Sequence, residues 1–249
     1  MRRLLFAANW KMQVGPADAR AYAERFRARY TPRDDRDTWF FPPAVSLEAA
    51  AEAFRGIPNT MVGAQDIHWE PKGAFTGAVS AGLARAAGAG AVLVGHSERR
   101  HVFGESDADT AKKLRAALRE ELIPVLCVGE TLEQRAAGAT EAVVYRQLSA
   151  ATAGLGGGEL GRLVVAYEPV WAIGTGNNAT PEDAARVHRE LRKLLALEIG
   201  AARTRILYGG SVNQENVASL LAEAEIEGVL VGGASLDAAG WAGICGLGA

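Results

Sequence analysis

The chain has 249 residues, of which 49% are hydrophobic and 22% charged, with a formal net charge of −2. It is long enough for one large domain or two small ones, and it can bury a core without disulfides or metals. Acids and bases are interspersed, which excludes the concentrated basic face that nucleic acid requires. No apolar run approaches the ~20 residues that span a bilayer, so no membrane partner is expected.

In chain order, the first element is the apolar run at residues 4–9. Behind Arg2-Arg3 it mimics a secretory leader, but it is short and leads into Asn9-Trp10-Lys11, so it reads as a strand. Further runs rich in Val, Ile, Leu and Phe follow at about 37–42, 60–65, 91–95, 123–128, 162–167, 205–208 and 228–231. They are near-continuous instead of alternating, the pattern of parallel strands buried on both faces. Ser106 with Asp107 and Asp109 opens a helix carrying Leu114, Leu118 and Leu122. Cys127 lies in the fifth run. It and Cys245 lack metal-site spacing or a disulfide framework, so a buried thiol and a reducing, cytoplasmic setting are expected. Gly154 to Gly161 reads as a loop. Pro181 to Ile199 reads as a helix with Thr180 as N-cap, Pro181 at its first position and an apolar stripe of Ala184, Val187, Leu191, Leu194 and Leu195. Eight strand–helix alternations without a linker predict one α/β domain over residues 1–249, a (β/α)8 barrel of eight parallel strands surrounded by helices.

Active sites of such barrels form at the C-terminal strand ends. The first strand ends in Asn9 and Lys11, the fourth in His96, Ser97 and Glu98, and the sixth in Glu168. The seventh ends in Gly209-Gly210-Ser211 and the eighth in Gly232-Gly233-Ala234-Ser235. The glycine pairs suit an anion site, because backbone N–H groups can approach a phosphate where no Cβ intervenes; tight turns alone would also account for them. A carboxylate, an imidazole and an ammonium on one rim suit acid–base chemistry. Singly, each has a plain structural reading: Glu168 a rim ion-pair partner, His96 a satisfied core histidine, Lys11 a surface lysine. Their coincidence favours a site. Gly174-Thr-Gly176-Asn-Asn-Ala179 has the letters of a dinucleotide fingerprint but not its immediate strand-to-helix turn. His96, Glu98 and His101 match no metal motif. No cofactor and no metal are expected.

The motifs Asn9-Trp-Lys-Met12, Gly73-Ala-Phe-Thr-Gly77, Val94-Gly-His-Ser-Glu-Arg-Arg100, Ala166-Tyr-Glu-Pro-Val-Trp-Ala-Ile-Gly-Thr-Gly176, Tyr208-Gly-Gly-Ser-Val212 and Val231-Gly-Gly-Ala-Ser-Leu236 resemble the triosephosphate isomerase family, in order and spacing, over essentially the whole chain. The resemblance implies a cofactor-free isomerase of glycolysis and gluconeogenesis that interconverts dihydroxyacetone phosphate and D-glyceraldehyde 3-phosphate. It implies Glu168 as base, His96 as neutral electrophile, and Lys11 and Asn9 as stabilisers of the enediolate. Gly174, Ser211, Gly232 and Gly233 would bind the phosphate, with Glu98 in support. The segment Pro169, Val170, Trp171, Ala172, Ile173, Gly174, Thr175 and Gly176 resembles a closing lid, and Tyr208 with Ser211 its latch. The resemblance also implies a homodimer in which Thr76 reaches the partner's site. One departure stands out: the family's usual Glu after Gly73-Ala-Phe-Thr-Gly77 is Ala78 here, so Arg99 needs another partner, for which Glu98, Glu105 and Asp107 are near in sequence. Another phosphosugar enzyme on the same fold, or an inactive scaffold, is the alternative. A Schiff-base aldolase would need a lysine within a strand, and an inactive scaffold would lack one of Glu168, His96 or Lys11.

Overall fold

The computed structural model describes residues 3–173 and 179–247. Eight parallel strands form a closed barrel in sequence order. They are β1 (Leu4–Asn9), β2 (Arg36–Phe41), β3 (Thr60–Ala64), β4 (Ala91–Val94), β5 (Ile123–Val128), β6 (Val164–Tyr167), β7 (Arg205–Tyr208) and β8 (Gly228–Val231). Helices α1 (Pro16–Arg27), α2 (Leu47–Phe54), α3 (Ala81–Ala86), α4 (Ser97–His101), α5 (Asp107–Arg119), α6 (Leu132–Ala136), α7 (Thr140–Thr152), α8 (Gly157–Leu160), α9 (Pro181–Leu194), α10 (Val217–Ala222) and α11 (Ala238–Gly246) lie in the connections.

Strand periodicity divides the core in two. Leu5, Ala7, Trp39, Phe41, Ala91, Leu93, Val125, Cys127, Val164, Ala166, Leu207 and Leu230 pack together as the barrel interior. Their neighbours Leu4, Phe6, Ala8, Phe40, Val92, Val94, Val165 and Ile206 belong to the layer shared with the helices. Burial on both faces is why the strands read as unbroken apolar runs. The ring closes where β1 meets β8, with Leu5 opposite Gly228. Gly228 has φ +149°, and a Cβ there would stand 2.0 Å from the Leu5 carbonyl oxygen, so this seam requires glycine. At the N-terminal end of the barrel, Asp37 bridges Arg3 and Arg205, each at 2.7 Å.

The predicted caps form. Ser106 Oγ accepts the Asp109 N–H at 3.1 Å while Asp109 accepts the Ser106 N–H, a reciprocal capping box. Thr180 Oγ1 accepts the Asp183 N–H at 3.1 Å. Three expectations need correction. The helix opened by Ser106 ends at Arg119, and Glu121 turns at φ 58°, so buried Leu122 lies beyond it. The Gly154 to Gly161 stretch contains the short helix α8, because the Glu159 carboxylate reaches back to accept the Gly156 N–H at 2.9 Å. The long stripe from Pro181 also changes character, passing into a π turn at Leu195–Ile199 and stopping at Gly200, φ +76°.

Candidate active site

Strand parity delivers the first two groups. Asn9 follows Leu5 and Ala7 on the inward face of β1, and Glu168 follows Val164 and Ala166 from β6, so both point into the C-terminal mouth of the barrel. His96 arrives differently. Gly95, φ +70°, turns the chain after β4, and His96 becomes the N-cap of α4.

That capping role sets the imidazole's chemistry. His96 Nδ1 accepts the Glu98 backbone N–H at 3.2 Å. An imidazolium carries protons on both nitrogens and could not accept there. The hydrogen-bond network therefore assigns a neutral ring with its proton on Nε2. Nε2 lies 3.0 Å from Glu168 Oε1 and 3.2 Å from Asn9 Nδ2. Asn9 is oriented by its own Oδ1, which accepts the Lys11 N–H at 3.0 Å. Two donors, Asn9 Nδ2–H and His96 Nε2–H, thus stand side by side at the cavity. The second Glu168 oxygen accepts the Ser97 N–H at 2.8 Å, and the carboxylate is almost wholly buried. Gly209 leaves room for it, since a Cβ there would stand 2.8 Å from Glu168 Cγ.

Lys11 sits in left-handed backbone, φ 50°, and its Nζ donates to Glu98 Oε1 at 2.6 Å. Both side chains keep appreciable exposure, so this pair is weak enough to exchange for a stronger anion. Gln65 braces the turn. Its Nε2 donates to the carbonyls of Lys11 and Phe41, each at 2.8 Å.

Asn9, Lys11, His96 and Glu168 line a cavity of about 210 Å³ with Ile173, Ser211, Gly232 and Gly233. A larger groove of about 620 Å³ opens beside the N-terminal ends of β3 and β4, between Arg55, Arg85 and Glu121. Asn9, Lys11, His96 and Glu168 are absent from its lining.

Of the expected lid, Pro169 to Ile173 are described, and Gly174, Thr175 and Gly176 lie outside the described residues. Val170–Ala172 forms one 3-10 turn. It is held by Glu130, a fully buried carboxylate that accepts the Trp171 Nε1–H at 2.9 Å and the Tyr167 hydroxyl at 3.1 Å. The Arg135 guanidinium covers the Trp171 ring at 4.4 Å. The Tyr208 hydroxyl is buried, and burial pushes its pKa up to about 12. Cys127 lies fully buried below Glu168, and burial first, then the Glu168 charge, pushes its thiol well up.

Thr76 is exposed on the loop between β3 and α3 and does not line its own chain's cavity. Arg99 pairs with Glu105 at 3.4 Å, as one of the expected alternatives, and also with Asp66 at 3.2 Å. Glu98 and Asp107 are taken by Lys11 and Arg100. Lys113 joins Asp66 and Glu105 at 2.5 and 2.6 Å, and burial pushes the Asp66 carboxyl up despite these cations. Gln65, Asp66 and Glu130 were missed from sequence. Gln65 directly follows β3, Asp66 is one residue further on, and Glu130 follows Gly129 at the end of β5, so the strand-end rule that found Glu168 reaches all three.

A buried carboxylate, an imidazole and an ammonium beside glycine-rich turns at the C-terminal mouth of a parallel barrel are groups suited to acid–base chemistry on a phosphorylated substrate. The family model described as triosephosphate isomerase matches residues 4–247. Among curated relatives, the triosephosphate isomerase of Moorella thermoacetica is 50% identical over 247 residues, covering 98% of each chain. That of Roseiflexus castenholzii is 48% identical over 241 residues, 96% of this chain and 94% of its own. That of Solibacter usitatus is 45% identical over 98% of this chain and 99% of its own. The chain belongs to the triosephosphate isomerase family.

Proposed function

We propose that this chain interconverts dihydroxyacetone phosphate and D-glyceraldehyde 3-phosphate through an enediol(ate). The observation that carries the assignment of roles is the Glu168–His96 pair: a buried carboxylate 3.0 Å from an imidazole whose other nitrogen is occupied as an acceptor. Glu168 takes the proton from the carbon beside the carbonyl and returns it to the neighbouring carbon. His96 Nε2–H and Asn9 Nδ2–H donate to the oxygens on which negative charge develops, and Lys11 Nζ leaves Glu98 to face that charge. The amides of Ser211, Gly232 and Gly233 hold the phosphate at the far end of the cavity. Gly174, from outside the described residues, completes that set by family resemblance.

The same reading makes the protein a cytoplasmic homodimer of single-domain chains. A second opening of about 200 Å³ reaches Asn9, Lys11 and His96 from the side, past Met12, Gln65 and Phe103. Met12 and Phe103, which line it, are largely exposed, as are Val45 and Val102 elsewhere on the surface, and Phe75 is nearly half exposed. An apolar rim of this kind on a soluble protein suits burial against another chain. A second copy's Thr76 loop, headed by Phe75, supplies the matching surface. No helix of the described residues is long and apolar enough to cross a membrane.

The test is isomerisation of glyceraldehyde 3-phosphate by purified protein in excess EDTA, with Glu168→Gln alongside. Wild type should turn over without additives. The variant should lose at least the ~10²–10⁴-fold expected of a general base. An inert wild type, or a variant near wild-type turnover, would overturn the reading.

A further inference from the structure

The cradle glycines stand on a turn that is braced from behind. Gly233–Ser235 forms one 3-10 turn after β8. The Gly232 carbonyl accepts two bonds from Ser235, its N–H at 2.8 Å and its Oγ–H at 2.7 Å. The Ser235 carbonyl in turn accepts the hydroxyl of Tyr22 on α1 at 2.7 Å. Ser235 and Tyr22 are both essentially fully buried.

A trans peptide is rigid, and its C=O and N–H point in opposite directions. Holding the Gly232 carbonyl on the Ser235 side therefore aims the Gly233 N–H the other way. Gly233 lines the cavity and is exposed, so its backbone is accessible from the cavity side. Its N–H takes no backbone acceptor among the described residues. Tyr22 thus fixes Ser235, Ser235 fixes the Gly232 carbonyl, and that carbonyl fixes the anion-binding amide.

We infer that Tyr22 is a positioning residue for the phosphate cradle, acting through Ser235 on the orientation of the Gly233 N–H. The inference rests on the reading that Gly232 and Gly233 hold the phosphate. Tyr22 suits this role because its ring packs against Trp10, Phe26, Phe40 and Phe54, which locks its position. Burial raises its phenol pKa, so the hydroxyl remains a donor throughout the working range.

Tyr22→Phe keeps the ring and removes only the hydroxyl. Initial rates and competitive inhibition by inorganic phosphate should be measured on wild type, Tyr22→Phe, Ser235→Ala and the double variant. Tyr22→Phe should raise both the KM and the phosphate inhibition constant about 5-fold, the change that a typical lost hydrogen bond produces, while kcat changes much less. Ser235→Ala should do the same, and the double variant should fall short of the product of the two, since both act on one carbonyl chain. Should Tyr22→Phe fail to fold, Ser235→Ala carries the same comparison. A merely structural role would lower the melting temperature and leave phosphate inhibition unmoved, which would overturn the inference. If inorganic phosphate does not inhibit wild type competitively, the cradle reading itself fails.

Discussion

Gly209→Ala tests the geometry of the base without touching its chemistry. The new methyl would stand 2.8 Å from Glu168 Cγ and 3.2 Å from the Tyr167 carbonyl oxygen. Ordinary contact begins near 3.4 Å, so the carboxylate side chain or the backbone must give by roughly half an ångström or more. The backbone resists, because the Gly209 N–H donates to the Tyr167 carbonyl at 2.7 Å and Tyr167 pairs with Tyr208 across β6 and β7. The Glu168 side chain must then yield, straining its bonds to the Ser97 N–H and His96. A shift of about 1 Å in a catalytic group costs on the order of 10²-fold, so kcat should fall about 10- to 100-fold. Overpacking should cost about 1–3 kcal/mol of stability, lowering the melting temperature by about 2–4 °C per kcal/mol. Inhibition by inorganic phosphate, which the proposed cradle of Ser211, Gly232 and Gly233 would bind, should change far less than kcat. Steady-state kinetics with a calorimetric melt would check all three. A Gly209→Ala enzyme with wild-type kcat would refute the claim that Gly209 is kept small for Glu168.

Thr76→Arg should abolish assembly by forcing a long cation into the side opening, giving monomers of much lower activity; sedimentation velocity on wild type and variant decides it, and a fully active wild-type monomer would remove the assembly reading while sparing the chemistry. The two thiols supply a pH test. Burial raises the pKa of both Cys127 and Cys245 well above the ordinary thiol value of 9.0. The unfolded chain therefore releases these protons at a lower pH than the native one, so their contribution to stability is complete below pH 9 and is lost as pH rises beyond it. Denaturant titrations at pH 7, 9 and 10 should show this decline, with a thiol reagent at pH 8 modifying neither cysteine until the protein unfolds. Rapid modification of native protein would contradict the burial argument.

The eight apolar runs, the caps at Ser106 and Thr180, and the polar residues behind each strand were legible in the sequence because they obey local rules. A strand buried on both faces needs unbroken apolar residues, a helix start needs an acceptor, and a barrel places its site where strands end. Asn9, Lys11, His96 and Glu168 could be named for that reason alone. Their roles came from the family resemblance, and strand position alone does not give them: which nitrogen of His96 carries the proton depends on which backbone N–H reaches Nδ1, and Glu98 supplies it only once α4 has turned. The partners of Arg99 show the same limit. Glu105 lies six residues away and was foreseeable, whereas Asp66 is brought in from the end of β3 across the barrel rim. Tyr22 and Ser235 lie 213 residues apart, and no periodicity or motif connects them. Local pattern determined which residues are buried, capped or presented at the mouth. Closure of the ring between β1 and β8 decided which of them meet, since hydrogen-bond geometry between distant segments exists only after the chain has packed.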